Sequence, residues 1–438
     1  MKSARQIAFE VLNRIQKDNS YSNLSLDRAL DSYELSVQDK SFVSALVYGV
    51  IERQLTLDYQ LAPLLKQPLK KLKPQVLTIL RLGVYQILYM EKVPDSAAVN
   101  ECVKLTKQNG ASFASGLVNA VLRKVIANGL RLPDKTESNY MSIAYSVPQW
   151  LCDMWIQAYG AENAEKLLCE SFGSVNTVIR VNTAKITADE LVKRLNDEQI
   201  KTEKNPYAEN SLTVISGGAL HKTKAYSEGL FHVQDTASQL CCKALEADKN
   251  CRVLDVCAAP GGKSFTIAEI MNNSGEVVSC DIYEKRVSLI KNGAERLGLD
   301  NVKTAVNDGS VYNKTLGKFD RILCDVPCSG LGVIRKKPEI RYKSKEEVDN
   351  LPNLQYSILC VSSEYLEKGG MLVYSTCSLN PDENEKIIQR FLKEHSGFES
   401  IKVLPEIVRY GEDSDYLTLM PHIHNCDGFF ISAVRKTN

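Results

Sequence analysis

Two cysteines, Cys328 and Cys377, sit in segments of similar design, DVPCSG (325–330) and STCS (375–378), and each segment closes an apolar run. A thiolate is a strong nucleophile, but an ordinary thiol of pKa about 8.5 is only about 3% ionised at pH 7. A site that uses one needs a positive neighbour or a helix N-terminus beside it. Acids end the neighbouring apolar runs: Asp281 in EVVSCDI (276–282), Asp308 in VKTAVND (302–308) and Asp325 in FDRILCDVP (319–327). A single acid at a strand end is often only a helix cap. Acids and thiols at successive run ends point instead to one shared rim, where a nucleophile, carboxylates and a ligand can meet.

The run RVLDVCA (252–258) leads into DVCAAPGGKS (255–264). Its small residues and paired glycines let backbone N–H groups approach a ligand at the start of a helix. A phosphate-binding P-loop would need glycine where Cys257 stands, and no G-x-G-x-x-G dinucleotide loop is present. The shorter loop suits S-adenosylmethionine, which carries no pyrophosphate. An ordinary glycine turn is the plain alternative. Asp281 lies 26 residues after Asp255, where a carboxylate can accept both hydroxyls of a ribose. Asp308 suits an adenine amino group or an adjacent polar edge.

These side chains meet only if the apolar runs are neighbouring strands. Helical stretches such as 284–297 and 345–366 lie between them. Such alternation predicts a mostly parallel sheet covered on both faces, with ligands at the carboxyl ends of its strands. Upstream, VNTVIRVNT (175–183), ADELVKRLNDEQ (188–199) and SLTVISGG (211–218) predict strand, helix and strand. VPQW (147–150) opens a helical stretch reaching about Ser171. Residues 1–130 predict a helical bundle. Ala4, Ile7, Ala8, Val11, Leu12 and Ile15 share one face, as do Phe113, Leu117, Val118, Val121, Leu122 and Val125. Apolar helical stretches at 42–59 and 76–90 lie between them, with a short one marked by Ala98, Cys102 and Leu105.

The 438 residues leave room for two or three domains, and 44% hydrophobic with 24% charged residues excludes wholesale disorder. The whole-chain charge of +1 does not announce a nucleic-acid binder. It is unevenly spread: residues 1–130 carry a net +6, with Lys66, Lys70, Lys71 and Lys73 in one loop that can face phosphates. No apolar run is long enough to span a membrane, and the N-terminus lacks a signal-peptide core. The expectation is a soluble, cytoplasmic protein whose 13 cysteines are reduced. Cys102, Cys169, Cys241, Cys242 and Cys360 read as core. HIHNC (422–426) would put His422, His424 and Cys426 on one face of a strand, too few ligands for zinc, so no metal is expected.

Three segments carry a specific resemblance. VLDVCAAPGGKS (253–264), DVPCSGLGVIRKKPEIRY (325–342) and YSTCSLNPDENE (374–385) resemble the motifs of the Sun/Fmu family of RNA 5-methylcytosine methyltransferases. FHVQDTASQL (231–240) resembles the family's helix before the first strand, and DGFFISAVRK (427–436) its closing strand. The helical lobe is similar to a NusB-like RNA-binding domain. Tyr342 departs from the family, where tryptophan is more usual. The resemblance implies a multidomain chain. An all-α NusB-like bundle (1–132) would precede a small α/β, RNA-recognition-like (RRM-like) linker domain (138–228). A Rossmann-like α/β methyltransferase domain (229–438) would follow. It also implies S-adenosyl-L-methionine as cofactor and small-subunit (16S) rRNA as partner, free or in an early assembly state, with the protein a monomer.

Cytosine C5 is a poor nucleophile until a thiolate adds to C6 and turns the ring into an enamine. The residues alone leave open which thiol attacks, since related DNA enzymes use the Pro-Cys thiol. The resemblance assigns Cys377 as nucleophile, Cys328 as the residue assisting proton removal and release, and Asp325 to the cytosine N3/N4 edge. It places Cys257, Ala258, Ala259, Pro260, Gly261, Gly262, Lys263, Asp281, Arg286, Asp308 and Asp325 around the cofactor. Lys263 has two candidate duties, holding the cofactor carboxylate or lowering a thiol pKa. Arg335, Lys336, Lys337 and Arg341 can hold phosphates flanking the target base, and Tyr342 can stack on a base. The base must be unstacked to react, which favours a loop or bulge. A catalytically inactive RNA-binding or assembly factor on the same fold is the alternative, opposed by the presence of both thiols. A nucleotide-using enzyme with a GGKS loop is weakened by Cys257.

Overall fold

The apolar stripes of the first 130 residues become helices that close on one another. The computed structural model describes residues 2–18, 22–173, 175–411 and 414–438. Its helices Ala4–Asp18, Ser22–Ser32, Val37–Glu52, Gln54–Leu61, Pro74–Tyr89, Asp95–Gln108 and Ser115–Asn128 bury Leu12, Val47, Leu57, Ile79 and Leu122 in a common core. Each such side chain contributes about 1.5–3 kcal/mol on burial. The expected stretch at 42–59 is broken at Arg53, and the helix Ser22–Ser32, with its sparse apolar positions, was not legible. Phe113 and Leu117 fall outside the core, at 67% and 38% exposed.

The chain divides into two compact units, Met1–Phe172 with Ile334–Lys343, and Gly173–Val333 with Ser344–Asn438. Helices Tyr140–Ala144, Gln149–Tyr159 and Ala161–Cys169 therefore stay with the helical lobe. The expected domain 138–228 is not one compact piece: its helices up to Cys169 belong to the first unit, and its strands with helix Ala188–Asp197 to the second. The reason is packing, because these helices carry apolar faces (Leu151, Cys152, Trp155, Leu168) that need a helical partner surface.

In the second unit, β1 (Val178–Val181), β2 (Lys201–Lys204), β3 (Ser211–Ser216) and β4 (Phe231–Val233) form an antiparallel sheet in the order β2-β3-β1-β4. With helix Ala188–Asp197, capped reciprocally by Thr187 and Glu190, it makes a ferredoxin-like βαββαβ unit. The start of FHVQDTASQL is thus strand β4, and its helix begins at Thr236. This sheet is fastened to the larger one through a buried carboxylate. Glu269 lies 3.2 Å from the Arg180 guanidinium and 3.4 Å from His232 Nδ1.

The larger sheet holds β5 (Arg252–Asp255), β6 (Glu276–Asp281), β7 (Val302–Val306), β8 (Phe319–Asp325), β9 (Leu366–Thr376), β10 (Phe398–Ile401), β11 (Leu417–Leu419) and β12 (Phe429–Lys436). Its order is β10-β12-β9-β8-β5-β6-β7, with β11 also on β12. Strands β5 to β9 are parallel and β12 enters antiparallel beside β9. The order reverses between β5 and β8, which opens a crevice at their carboxyl ends. All five anticipated strands and the closing strand are present; β10 and β11 were not foreseen. HIHNC is no strand: Pro421–His424 is a helical turn, and His424 spends both ring nitrogens on backbone groups of Met420 and Val408. Among the described residues no helix is long and apolar enough to cross a membrane.

Candidate active site

Parallel pairing of β8 and β9 places Asp325 opposite Ser375, and the loops that follow carry the two cysteines. Their sulfurs lie 3.2 Å apart. Asp325 is fixed on both oxygens, accepting from Ser375 Oγ at 2.8 Å and from Lys263 Nζ at 2.7 Å. Lys263 stands in the first turn of helix Gly262–Ile270. Burial works against its charge, but Asp325 and nearby thiols outweigh that and raise its pKa, so it is an ammonium.

The two thiols are held unequally. The S–H of Cys328 hydrogen-bonds Cys377 and lowers the Cys377 pKa against the effect of burial, and Lys263 lowers it further. Cys328 is pushed well above the ordinary thiol value by that same bond, by burial, and by the nearby Glu383 and Asp325. Of the two thiols, Cys377 is therefore the one whose surroundings favour the thiolate.

The rest of the rim is built at the ends of β5, β6 and β7. Asp255 is buried, takes a hydrogen bond from Ser264 Oγ at 2.6 Å, and leaves Oδ1 without a partner in the protein. Burial raises its pKa to about 7. In the following loop Ala258 N donates to Cys280 O, and Gly261 has φ +111°. A Cβ at Gly261 would stand 2.4 Å from the Phe265 ring, so glycine is required there. Asp281 accepts from Tyr283 N and lies 3.2 Å from Arg286 Nη1, while Arg286 Nη2 donates to Ala259 O. Arg286 thus clamps the loop to the carboxylate. Asp308 accepts from the backbone and hydroxyl of Ser310 and lines a hollow of about 770 Å³ with Ile282, Val306, Val311 and Tyr312. An unpaired buried carboxylate oxygen, a glycine-dependent loop, and an apolar hollow flanked by acids fit a nucleoside cofactor with a charged tail. Burial holds the Cys257 thiol protonated.

The basic segment departs from expectation. Arg335, Lys336, Lys337 and Arg341 all belong to the first compact unit. Arg341 is fully buried and donates to the carbonyls of Glu52, Tyr145 and Ser171. Tyr342 donates to Ile51 O and accepts from Gln54 N. Arg341 is thus enclosed away from phosphates, because an unpaired helix-end carbonyl is costly to bury and Arg341 pairs several at once, while the Tyr342 hydroxyl is spent on helix backbone. Arg335 is half-buried and lies 3.2 Å from Glu170. Lys336 and Lys337 are half-buried. Cys169 is exposed and Cys360 only half-buried, whereas Cys102, Cys241 and Cys242 are core. Sequence reasoning missed Ser375, which orients Asp325, and Glu383, which faces Cys328. Their signal was the serines flanking Cys377 and the acidic run PDENE.

Comparison with known proteins agrees with this architecture. The family described as 16S rRNA methyltransferase RsmB/F matches residues 242–435, the NusB family matches 2–127, and the RsmF/B-like ferredoxin-like domain matches 147–221. The chain is similar to a probable ribosomal RNA small subunit methyltransferase B of Bacillus subtilis, 40% identical over 99% of both chains. A protein of the same description from Synechocystis is 35% identical over the full length of both. The crystal structure of PH0851 shares the fold, with a TM-score of 0.86 at 23% identity, covering 100% of this chain and 99% of that one.

Proposed function

The chain belongs to the RsmB/F family of 16S rRNA methyltransferases, and on that footing we propose that it methylates C5 of a cytosine in small-subunit rRNA through a covalent adduct with Cys377. The observation that carries this reading is the thiol pair, 3.2 Å apart beside the Lys263–Asp325 ion pair. S-adenosylmethionine, bound along the rim by the 257–263 loop, Asp281, Arg286 and Asp308, would supply an electrophilic methyl group on a sulfonium. Cys377, already favoured as thiolate, bonds to cytosine C6 and makes C5 electron-rich. Asp325, held by Ser375 and Lys263, faces the N3/N4 edge and accepts from the cytosine amino group, while the Lys263 ammonium beside it offsets the negative charge that develops at N3. After C5 is methylated it still carries its proton. Cys328 assists transfer of that proton to a water acting as base, and elimination across C5–C6 expels Cys377 as a thiolate.

RNA recognition is assigned to the basic helical lobe, through Lys66, Lys70, Lys71 and Lys73, with Lys336 and Lys337 as further phosphate contacts. The substrate is free rRNA or an early assembly state in the cytoplasm, and the protein acts as a monomer. Bisulfite sequencing of small-subunit rRNA from cells with and without the protein tests the assignment. One cytosine protected only when the protein is present is expected; an unchanged protection pattern would contradict it.

A further inference from the structure

Each reactive cysteine is followed by a serine, in P-C-S at 327–329 and T-C-S at 376–378, and both serines bond to one carboxylate. Glu383 is fully buried. Its Oε2 accepts from Ser329 N at 2.7 Å and from Gln355 Nε2 at 2.9 Å. Its Oε1 faces Ser329 Oγ at 2.5 Å, Ser378 Oγ at 2.8 Å and Asn380 Nδ2 at 3.2 Å. Gln355 Nε2 also reaches Pro327 O, and Asn384 Nδ2 donates to Ser378 O. A buried carboxylate is costly unless every lone pair is used, and this one is surrounded by donors drawn from both cysteine loops.

We propose that Glu383 is the positioning residue that sets the separation of Cys328 and Cys377, an inference that rests on the two-thiol reading of the site. The loops after β8 and β9 are separate segments, joined also by the Ser329 Oγ–Ser378 Oγ contact at 2.8 Å and by backbone contacts such as Gly332 N to Cys377 O. Each is anchored to Glu383 by the residue next to its cysteine, so movement of either serine moves a thiol. Glu383 touches no reacting atom. It acts by keeping two sulfurs within reach of one base, a geometry whose loss by about 1 Å costs about 100-fold in rate.

The test reads the thiol separation directly, without cofactor or RNA. Diamide oxidises two adjacent thiols to a disulfide, taking two protons and two electrons and becoming the hydrazine. Peptide mapping then follows the Cys328–Cys377 link over time in the full chain. Glu383→Ala, with folding checked by thermal melting, is expected to slow this link at least about tenfold. It should lower kcat for methyl transfer about 100-fold while the KM for S-adenosylmethionine stays within about twofold. Glu383→Gln keeps an acceptor for Ser329 N–H, and the serine hydroxyls can turn to accept from its amide. It is expected to restore linking to within about threefold of wild type. The Ser329→Ala/Ser378→Ala double variant keeps the carboxylate but severs its hydroxyl links to both loops, together with the direct Ser329–Ser378 contact, and should slow the link likewise. A wild-type linking rate in folded Glu383→Ala, or in the double variant, overturns the proposal. Absence of methyl transfer by the wild-type chain, with the linking arm intact, would instead count against the methyltransferase reading.

Discussion

A cysteine becomes a nucleophile at neutral pH only when its surroundings favour the thiolate. Here the favourable groups are the Cys328 S–H and Lys263, both acting on Cys377. A lowered thiol pKa means that the reactive form is present above that pKa and lost as pH falls through it. The single-turnover rate should therefore rise with pH and level off below the ordinary thiol range. Lys263→Met removes the positive neighbour and should move that inflection to higher pH. At pH 7 the rate should drop about tenfold for each unit of movement. An inflection that stays in place would assign Lys263 to the cofactor alone. This choice was open in the sequence, which showed a lysine at a helix start but not its 2.7 Å contact with Asp325. The acids and thiols themselves were legible, because parallel strands end where their ligands bind, and apolar runs ending in Asp281, Asp325 and Cys377 announce those ends. Glu383 was not, since its partners at Ser329 and Gln355 are distant in sequence and PDENE looks like any solvated acidic run.

The elements of the larger sheet could be read from alternation and length, whereas the short antiparallel pieces could not. β10 and β11, of four and three residues, have too little pattern to stand out. The segment 333–342 shows the opposite failure. Its run of cations suggested phosphate contacts, but a charge run reports composition and not burial. Arg341 instead ends among backbone carbonyls of three helix termini and turns, with its guanidinium over the Phe172 ring. Arg341→Met keeps the bulk and strips those carbonyls of a partner, so the chain should lose about 3 kcal/mol of stability in urea unfolding. The salt dependence of RNA binding should stay as in wild type. A folded variant whose log-affinity slope against log salt falls by about 0.7–0.9 would restore Arg341 as a phosphate contact.

At the scale of the whole molecule, near-neutral charge concealed a basic helical lobe and an acidic remainder. The lobe's existence was legible from its 3.6-residue periodicity, but its limits were not. Its compact unit runs to Phe172 and takes in Ile334–Lys343. Tyr342 and Arg341 use carbonyls of Ile51 and Glu52, so the segment that follows the Pro-Cys loop is completed by helices from the N-terminal lobe. Removing residues 1–130 would strip these partners away, and the chain is best tested intact. The central claim is that Cys377 bonds to the target cytosine and Cys328 is needed for release. Cys328→Ala in the full chain, mixed with S-adenosylmethionine and small-subunit rRNA, should accumulate a denaturation-resistant protein–RNA complex. Peptide mapping should place a methylated cytosine on Cys377. No retarded species, or a link through another residue, would contradict the account.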